Sequence, residues 1–232
     1  VRLYHGTNEP AARRAMAEGL RPRRETKRSN WKATSHPGAV YLTSAYGPFF
    51  GVNAIDRRRG LRAPPQGAPP VRFAVLEVET DRLNPFCLVP DEDAVEQTAR
   101  GHDDLPPGWD MHRRTRHYRD RLMRDYANGK AWETSLRAMG TCAHLGAIPP
   151  SAITRVAFVD IVAQRGLVWA AVDAVVAVRA FRFAGSLHAA LTAHIFGDPL
   201  PADPLGFDRL GFLDTNRDGI ELLNLQPEGV AA

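Results

Sequence analysis

The residues with chemistry to offer form a few small groups along this 232-residue chain. "DTNRDG" at 214–219 opens like a calcium loop, with Asp214, Asn216 and Asp218 at its first, third and fifth positions and glycine at its sixth. Its twelfth position is Leu225, so the carboxylate that closes an EF-hand is missing and no calcium site is expected. His112 and His117 stand five residues apart and His188 and His194 six, spacings that do not put two imidazoles on one helix face. Cys87 and Cys142 are too few for a disulfide framework and lack metal-ligand spacing. Neither a GxxxxGK phosphate loop nor a GxSxG nucleophile elbow is present. Glu77 and Glu79 alternate along a strand pattern and are expected on its solvated face. That leaves "LYHGT", in which His5, Gly6 and Thr7 end the first apolar segment directly before a helix.

The elements that must position these residues read as a mixed chain of helices and strands without internal repeats. "VRLYH" is a short strand, and "EPAARRAMAEGL" is a helix with Asn8 as N-cap, Pro10 in the first turn and Gly19 as its stop. "AVYLT" and "VRFAVLEVET" are strands rich in β-formers, and another begins near Ile153. "SAYGPFFGVNAI" is a weak helix or a turn, interrupted by Gly47 and Pro48. Residues 81–110 read as Pro- and Asp-rich connection, "KAWETSLRAMG" as helix and "TCAHLG" as a short strand. "LVWAAVDAVVAVRAF" fits a strand pair or a buried helix, since periodicity does not separate them. "SLHAALTAHIFG" is a helix capped by Ser186, and the last thirty residues look loop-rich.

Composition fits a folded globular chain, with 44% hydrophobic and 24% charged residues. No stretch reaches the roughly 20 apolar residues of a membrane span. The longest candidate is broken by Asp173 and Arg179, so no membrane is expected. Low cysteine content and the lack of a secretory-signal pattern give a cytoplasmic location as the expectation. The net charge of +4 is gathered at 21–32, 56–60 and 111–130. Such runs serve either as a solvated face or as a phosphate-binding surface, with Trp31, Tyr118 and Tyr126 as stacking platforms or core anchors.

"LYHGT", an Ala-rich helix ending "EGLRP", a basic loop and "AVYLTSA" together resemble the front half of the ADP-ribosyltransferase fold in its diphtheria-toxin-like, His-Tyr class. RNA 2'-phosphotransferases share that fold. The likeness covers residues 2 to about 55, continues in outline from 71 to 160 through "GAIPPSAI", and ends before 186. It implies an α+β fold, with an ADP-ribosyltransferase-like split β-sheet core and flanking helices. Residues 1–185 would form the catalytic domain and 186–232 a helical and loop extension packed on it.

The same resemblance implies NAD as co-substrate. Gly6, without a Cβ, would let the backbone grip the nicotinamide amide. His5 would bind a hydroxyl of the nicotinamide-side ribose, and Tyr41 would stack on the ring. Thr7, Thr43 and Ser44 would support the pocket, Phe49 or Phe50 would close the ring's other face, and Arg21, Arg23 or Arg24 would pair with the pyrophosphate. Where many members carry a glutamate, this chain reads "TCAHLGAIPP", so Thr141 or His144 takes the place, and His144 is the expected general base. Glu133 lies upstream on a helix. The missing carboxylate shifts the expected acceptor from protein toward nucleic acid, held by Arg113, Arg114, Arg116 and Arg121. A protein inhibitor or antitoxin is a further implied partner. The rivals are an RNA 2'-phosphotransferase using NAD and a non-catalytic nucleic-acid-binding module.

Overall fold

The structure is a computed structural model, and it describes residues 1–26, 36–55, 65, 67–91, 108–110, 113, 114, 117, 129, 131–177, 181–201 and 216–225. Within them the fold is α+β, built on one antiparallel sheet. Its strands are β1 (Arg2–Asn8), β2 (Ala39–Thr43), β3 (Arg72–Glu79), β4 (Leu88–Pro90), β5 (Thr141–Leu145), β6 (Ile153–Asp160) and β7 (Ile220–Asn224). They lie in the order β4-β5-β2-β1-β3-β6-β7. The helices are α1 (Glu9–Glu18), α2 (Arg23–Thr26), α3 (Gly47–Ala54), α4 (Ala131–Met139), α5 (Arg165–Ala177) and α6 (Phe181–Phe196).

Side-chain alternation divides the core between the two faces of the sheet. Leu3, Val40, Leu42, Leu76, Cys142 and Phe158 pack with Ala12 and Ala15 of α1, and Trp132 and Leu136 of α4 join them. On the other face Phe73, Val75, Ala157 and Val159 meet Val52 of α3, Leu167 and Val168 of α5, and Leu191 and Ile195 of α6. α1 starts as its sequence dictates. Asn8 accepts from the Ala11 N–H at 3.0 Å, and Gly19 ends the helix at φ 80° with Ile148 O where a Cβ would stand.

α3 packs on β1 more closely than any side chain would allow. A Cβ on Gly6 would lie 2.1 Å from Gly47 O and 2.4 Å from Gly51 N, so helix backbone fills the space that every other residue needs. The first Gly-Pro interruption of "SAYGPFFGVNAI" is therefore part of a helix and not a break in one.

Several expectations change. The ambiguous "LVWAAVDAVVA" stretch lies in helix α5, where packing of Leu167, Val168 and Ala171 on the sheet overrides the modest helix propensity of its valines. α6 begins at Phe181, so Ser186 lies inside it and is not its cap, and the boundary at 185/186 falls within one helix. β4 and β7 stand where connection was expected, and β7 gains its ladder from β6. Glu77 is not solvated: it is 2% exposed, because its register partner Arg155 binds it. Arg155 donates from Nε to Glu77 at 3.0 Å and from Nη1 and Nη2 to Asp198 at 2.8 and 2.7 Å, with a further Nη2 bond to Glu77. Thr154 Oγ1 also donates to Glu77, and Phe196 lies under the guanidinium.

Two expected outcomes follow from this packing. Gly6→Ala should lower the melting temperature by at least several degrees, because overpacking costs about 1–3 kcal/mol and only backbone can yield. Arg155→Met should cost about 3–5 kcal/mol in urea unfolding, since it strands a buried carboxylate. The hydrogen bonds from Arg155 hold Asp198 below its ordinary 3.8, so its contribution is complete above about pH 4. That contribution disappears as the pH falls through the lowered value, and an Asp198→Asn chain should lack this acid-side loss.

Candidate functional site

The sheet is nearly divided between β1 and β2. The two strands share one register pair, Tyr4↔Thr43, whereas β1 pairs with β3 along its whole length from Arg2 to Asn8. At the parting, a side chain takes over from the backbone ladder: His5 Nδ1 lies 2.9 Å from Tyr41 O. A carbonyl only accepts, so that nitrogen carries the proton and Nε2 is left as an acceptor. Burial lowers the pKa of His5, partly offset by the Tyr41 carbonyl, so the ring is neutral at pH 7.

Tyr41 faces the α3 side of the sheet, because its neighbours Val40 and Leu42 belong to the opposite core. It is half-buried, and its hydroxyl accepts from His36 N–H at 2.9 Å. Phe50, also half-buried, meets Phe49 edge-on at 5.3 Å. By the same alternation His5 shares a face with Leu3, so His5 and Tyr41 approach the parting from opposite sides of the sheet.

Thr43 is the joint that keeps the halves together. Its Oγ1 donates to Gly140 O at 2.6 Å and accepts from Ala45 and Tyr46 N–H, which uses its proton and both lone pairs and leaves no capacity for a ligand. Thr7 is buried, and Ser44 is exposed beside Gly140. Gly6 spends its missing Cβ on α3, a reason different from close approach of a dinucleotide.

His144 is not brought to His5. It faces the same side, but β2 stands between them, a separation on the order of 10 Å at about 4.8 Å per strand. Its ring is buried opposite Leu88, Nδ1 sits 3.4 Å from Gly146 O, and Nε2 has no partner among the described residues. Burial lowers its pKa, so it is a neutral core group. Thr141 pairs with Thr43 and is half-buried, and Glu133 is half-buried on α4.

Among the basic residues, Arg21 is held between Glu18 at 3.6 Å and Glu25 at 3.8 Å. Arg23 is half-buried. Arg24 instead lies against the start of β2, with its N–H on Pro37 O at 2.7 Å. Arg113 stacks on Trp109 at 4.4 Å, and Arg114 Nε donates to the Trp109 carbonyl. Arg116, Arg121, Trp31, Tyr118, Tyr126 and Asp214 lie outside the described residues. Asn216 and Asp218 form the turn into β7, where Gln164 Nε2 donates to both of their carbonyls. No group of three or more metal-ligating side chains occurs among the described residues. No described helix is long and apolar enough to cross a membrane.

Sequence reasoning passed over His188 on α6. It is fully buried, with its ring 5.0 Å from Tyr46 and 6.2 Å from Phe49, so α6 backs the aromatic side of α3. Thr192, four residues on, donates to Ala45 O at 2.9 Å. Among the described residues neither His188 nitrogen has a hydrogen-bond partner, and burial pushes its pKa down to about 4. No signal in a single sequence marks such a residue, since the histidine spacing offers no partner.

No family model matches the chain, and no curated protein does. A solved structure to which it is similar is that of EcPltA, at 12% identity and TM-score 0.31, over 68% of this chain and 74% of that one. That overlap is too slight to carry a property of EcPltA across.

His188 yields a test of its own. The unfolded ring binds a proton near its ordinary 6.5 and the folded ring near 4, so stability is complete above about pH 6.5 and falls as the pH drops toward 4. The loss is on the order of 3 kcal/mol. His188→Leu should remove that slope and match or exceed wild-type stability at pH 7, because an unpaired buried polar group is replaced by an apolar one. Denaturant melts at a series of pH values read both effects.

Proposed function

We propose that the chain transfers ADP-ribose from NAD to a macromolecular acceptor, nucleic acid before protein, and releases nicotinamide. The observation that supports this most is the His5 bond to Tyr41 O across the parting of β1 and β2, which fixes a neutral imidazole with Nε2 as acceptor. Such a nitrogen suits a ribose hydroxyl, which donates. The resemblance of "LYHGT" and "AVYLTSA" to the His-Tyr transferases supports the same reading.

In this reaction the bond between ribose C1' and the nicotinamide nitrogen breaks, and its electron pair neutralises the pyridinium ring. Positive charge develops at C1', and a lone pair from the acceptor forms the new bond as the acceptor's proton leaves to water. The chain's contribution is orientation and electrostatics directed at the oxocarbenium-like state. His5 would hold the ribose, and Tyr41 and Phe50 would flank the nicotinamide ring from the α3 side. β5 offers Thr141 and not a carboxylate next to Thr43. That favours an acceptor already nucleophilic when neutral, such as a nucleobase nitrogen, over one that must first lose a proton.

His5→Asn is the discriminating variant, because an Asn amide can still donate to Tyr41 O but lacks the Nε2 acceptor. With labelled NAD and DNA, RNA or mixed protein, wild type should release nicotinamide and label one acceptor class. The variant should melt close to wild type and lose at least about 100-fold in rate. Wild-type turnover by His5→Asn, or no binding of NAD by the wild-type chain, would sink the proposal.

A further inference from the structure

Helix α6 is fastened unevenly along its length. Past its C-terminal end Arg155 donates to Asp198 at 2.8 and 2.7 Å and lies over the Phe196 ring, which Tyr4 meets at 5.5 Å. Arg217 Nη2 donates to Ile195 O at 2.9 Å, and Leu191 and Ile195 are buried in the core on the sheet. Farther up, α6 faces α3 and the segment before it, where Thr192 Oγ1 donates to Ala45 O at 2.9 Å. One turn earlier His188 is fully buried against the rings of Tyr46 and Phe49, with neither nitrogen partnered among the described residues. An imidazole buried in this way gives up its hydrogen bonds to water and receives none in return, which weakens the contact that buries it.

The charged groups of the surrounding elements stand elsewhere. α3 has no ionisable residue in its sequence, and the phenol of Tyr46 precedes it. On β6, Arg155 is bound to Glu77 and Asp198, and Asp160 accepts from the Val162 and Ala163 N–H groups. Asp198 lies ten residues beyond His188, on the order of 15 Å at 1.5 Å per residue. Glu221 of β7 is paired with Arg72, Arg165 is exposed at the start of α5, and His194 lies on another face of α6. The side chain of Asp173 on α5 lies outside the described residues.

We propose that α6 is a hinged cover on α3, which pivots on its fastened C-terminal end and opens when His188 takes up a proton. A charged ring among aromatic neighbours gains its stability from water, so proton uptake and opening occur together. Opening breaks the Thr192 bond, uncovers Tyr46 and Phe49, and slackens the segment from Thr43 to Gly47 that ties β2 to α3. The buried ring binds its proton near 4 and the hydrated ring near 6.5, so the cover is held shut above about pH 6.5 and loosens as the pH falls toward 4. The device stands whether or not the chain transfers ADP-ribose.

The test is amide hydrogen exchange of the full chain, read residue by residue by NMR at about pH 7.5 and about pH 5 and corrected for the intrinsic exchange rate at each pH. The opening constant of amides in α3 and in α6 around His188 should rise about 30-fold between the two, as the two proton affinities require. At pH 5 these amides should exchange faster than those of β3 and β6, which open only with the whole sheet, and Ile195 and Phe196 at the pivot should follow the sheet. His188→Leu and His188→Gln leave no proton to bind, and in both the rise should vanish. A wild-type rise below about threefold, exchange of α3 and α6 no faster than that of β3 and β6, or a rise that persists in either variant would overturn the cover.

Discussion

Helix α3 rests directly on the backbone of β1 at Gly6, and much of the structure depends on that contact. A residue with any side chain would hold the helix off the strand, since Gly47 O and Gly51 N already occupy the Cβ position. Close seating brings Tyr46 and Phe49 to where His188 of α6 meets both rings and Thr192 donates to Ala45 O. The same short segment, from Thr43 to Gly47, joins β2 to α3. β2 is therefore tethered to β1 at its end, through Thr43, and free to part from it toward its beginning.

Where ladders stop, side chains complete them. His5 supplies the donor for Tyr41 O at the parting. At the other edge Ser135 Oγ stands between strands β4 and β5, accepting from Asp91 N–H at 3.1 Å and donating to Thr141 O at 2.7 Å. An inserted hydroxyl satisfies both backbone groups while holding the strands apart, so the sheet ends there without an unpaired buried amide. Arg155 has a comparable role between elements: it binds a strand carboxylate and one just past the end of α6, which fixes the helix terminus against the sheet.

Local signals made part of this legible. Asn8, Pro10 and Gly19 bound α1 as capping chemistry demands, and the β-branched and aromatic runs at 39–43, 72–79 and 153–160 are strands. β4 and β7 were hidden because three- and five-residue strands draw their stability from a neighbour and not from their own composition. Glu77 misled for a related reason. Alternation identified its strand but not the arginine opposite, and that partner decides whether a carboxylate can be buried. Within the candidate site, His5 and Tyr41 do meet, through a ring nitrogen and a backbone carbonyl. The separation of His144 by a whole strand follows from sheet order, which one sequence does not encode locally.

The distribution of charge around the parting bears on what chemistry it can host. The imidazoles nearest the sheet's interior, His5, His144 and His188, are all driven toward neutrality by burial. The exposed guanidinium of Arg24 stands apart from them, over Gly38 in the turn before β2. A neutral interior would place no positive charge where the oxocarbenium-like centre of the proposed transfer would form. A protonated His5 would oppose that centre directly. Its lowered pKa is thus as much a requirement of the proposed transfer as its hydrogen bond to Tyr41, because only the neutral ring both accepts from a ribose hydroxyl and spares the developing cation.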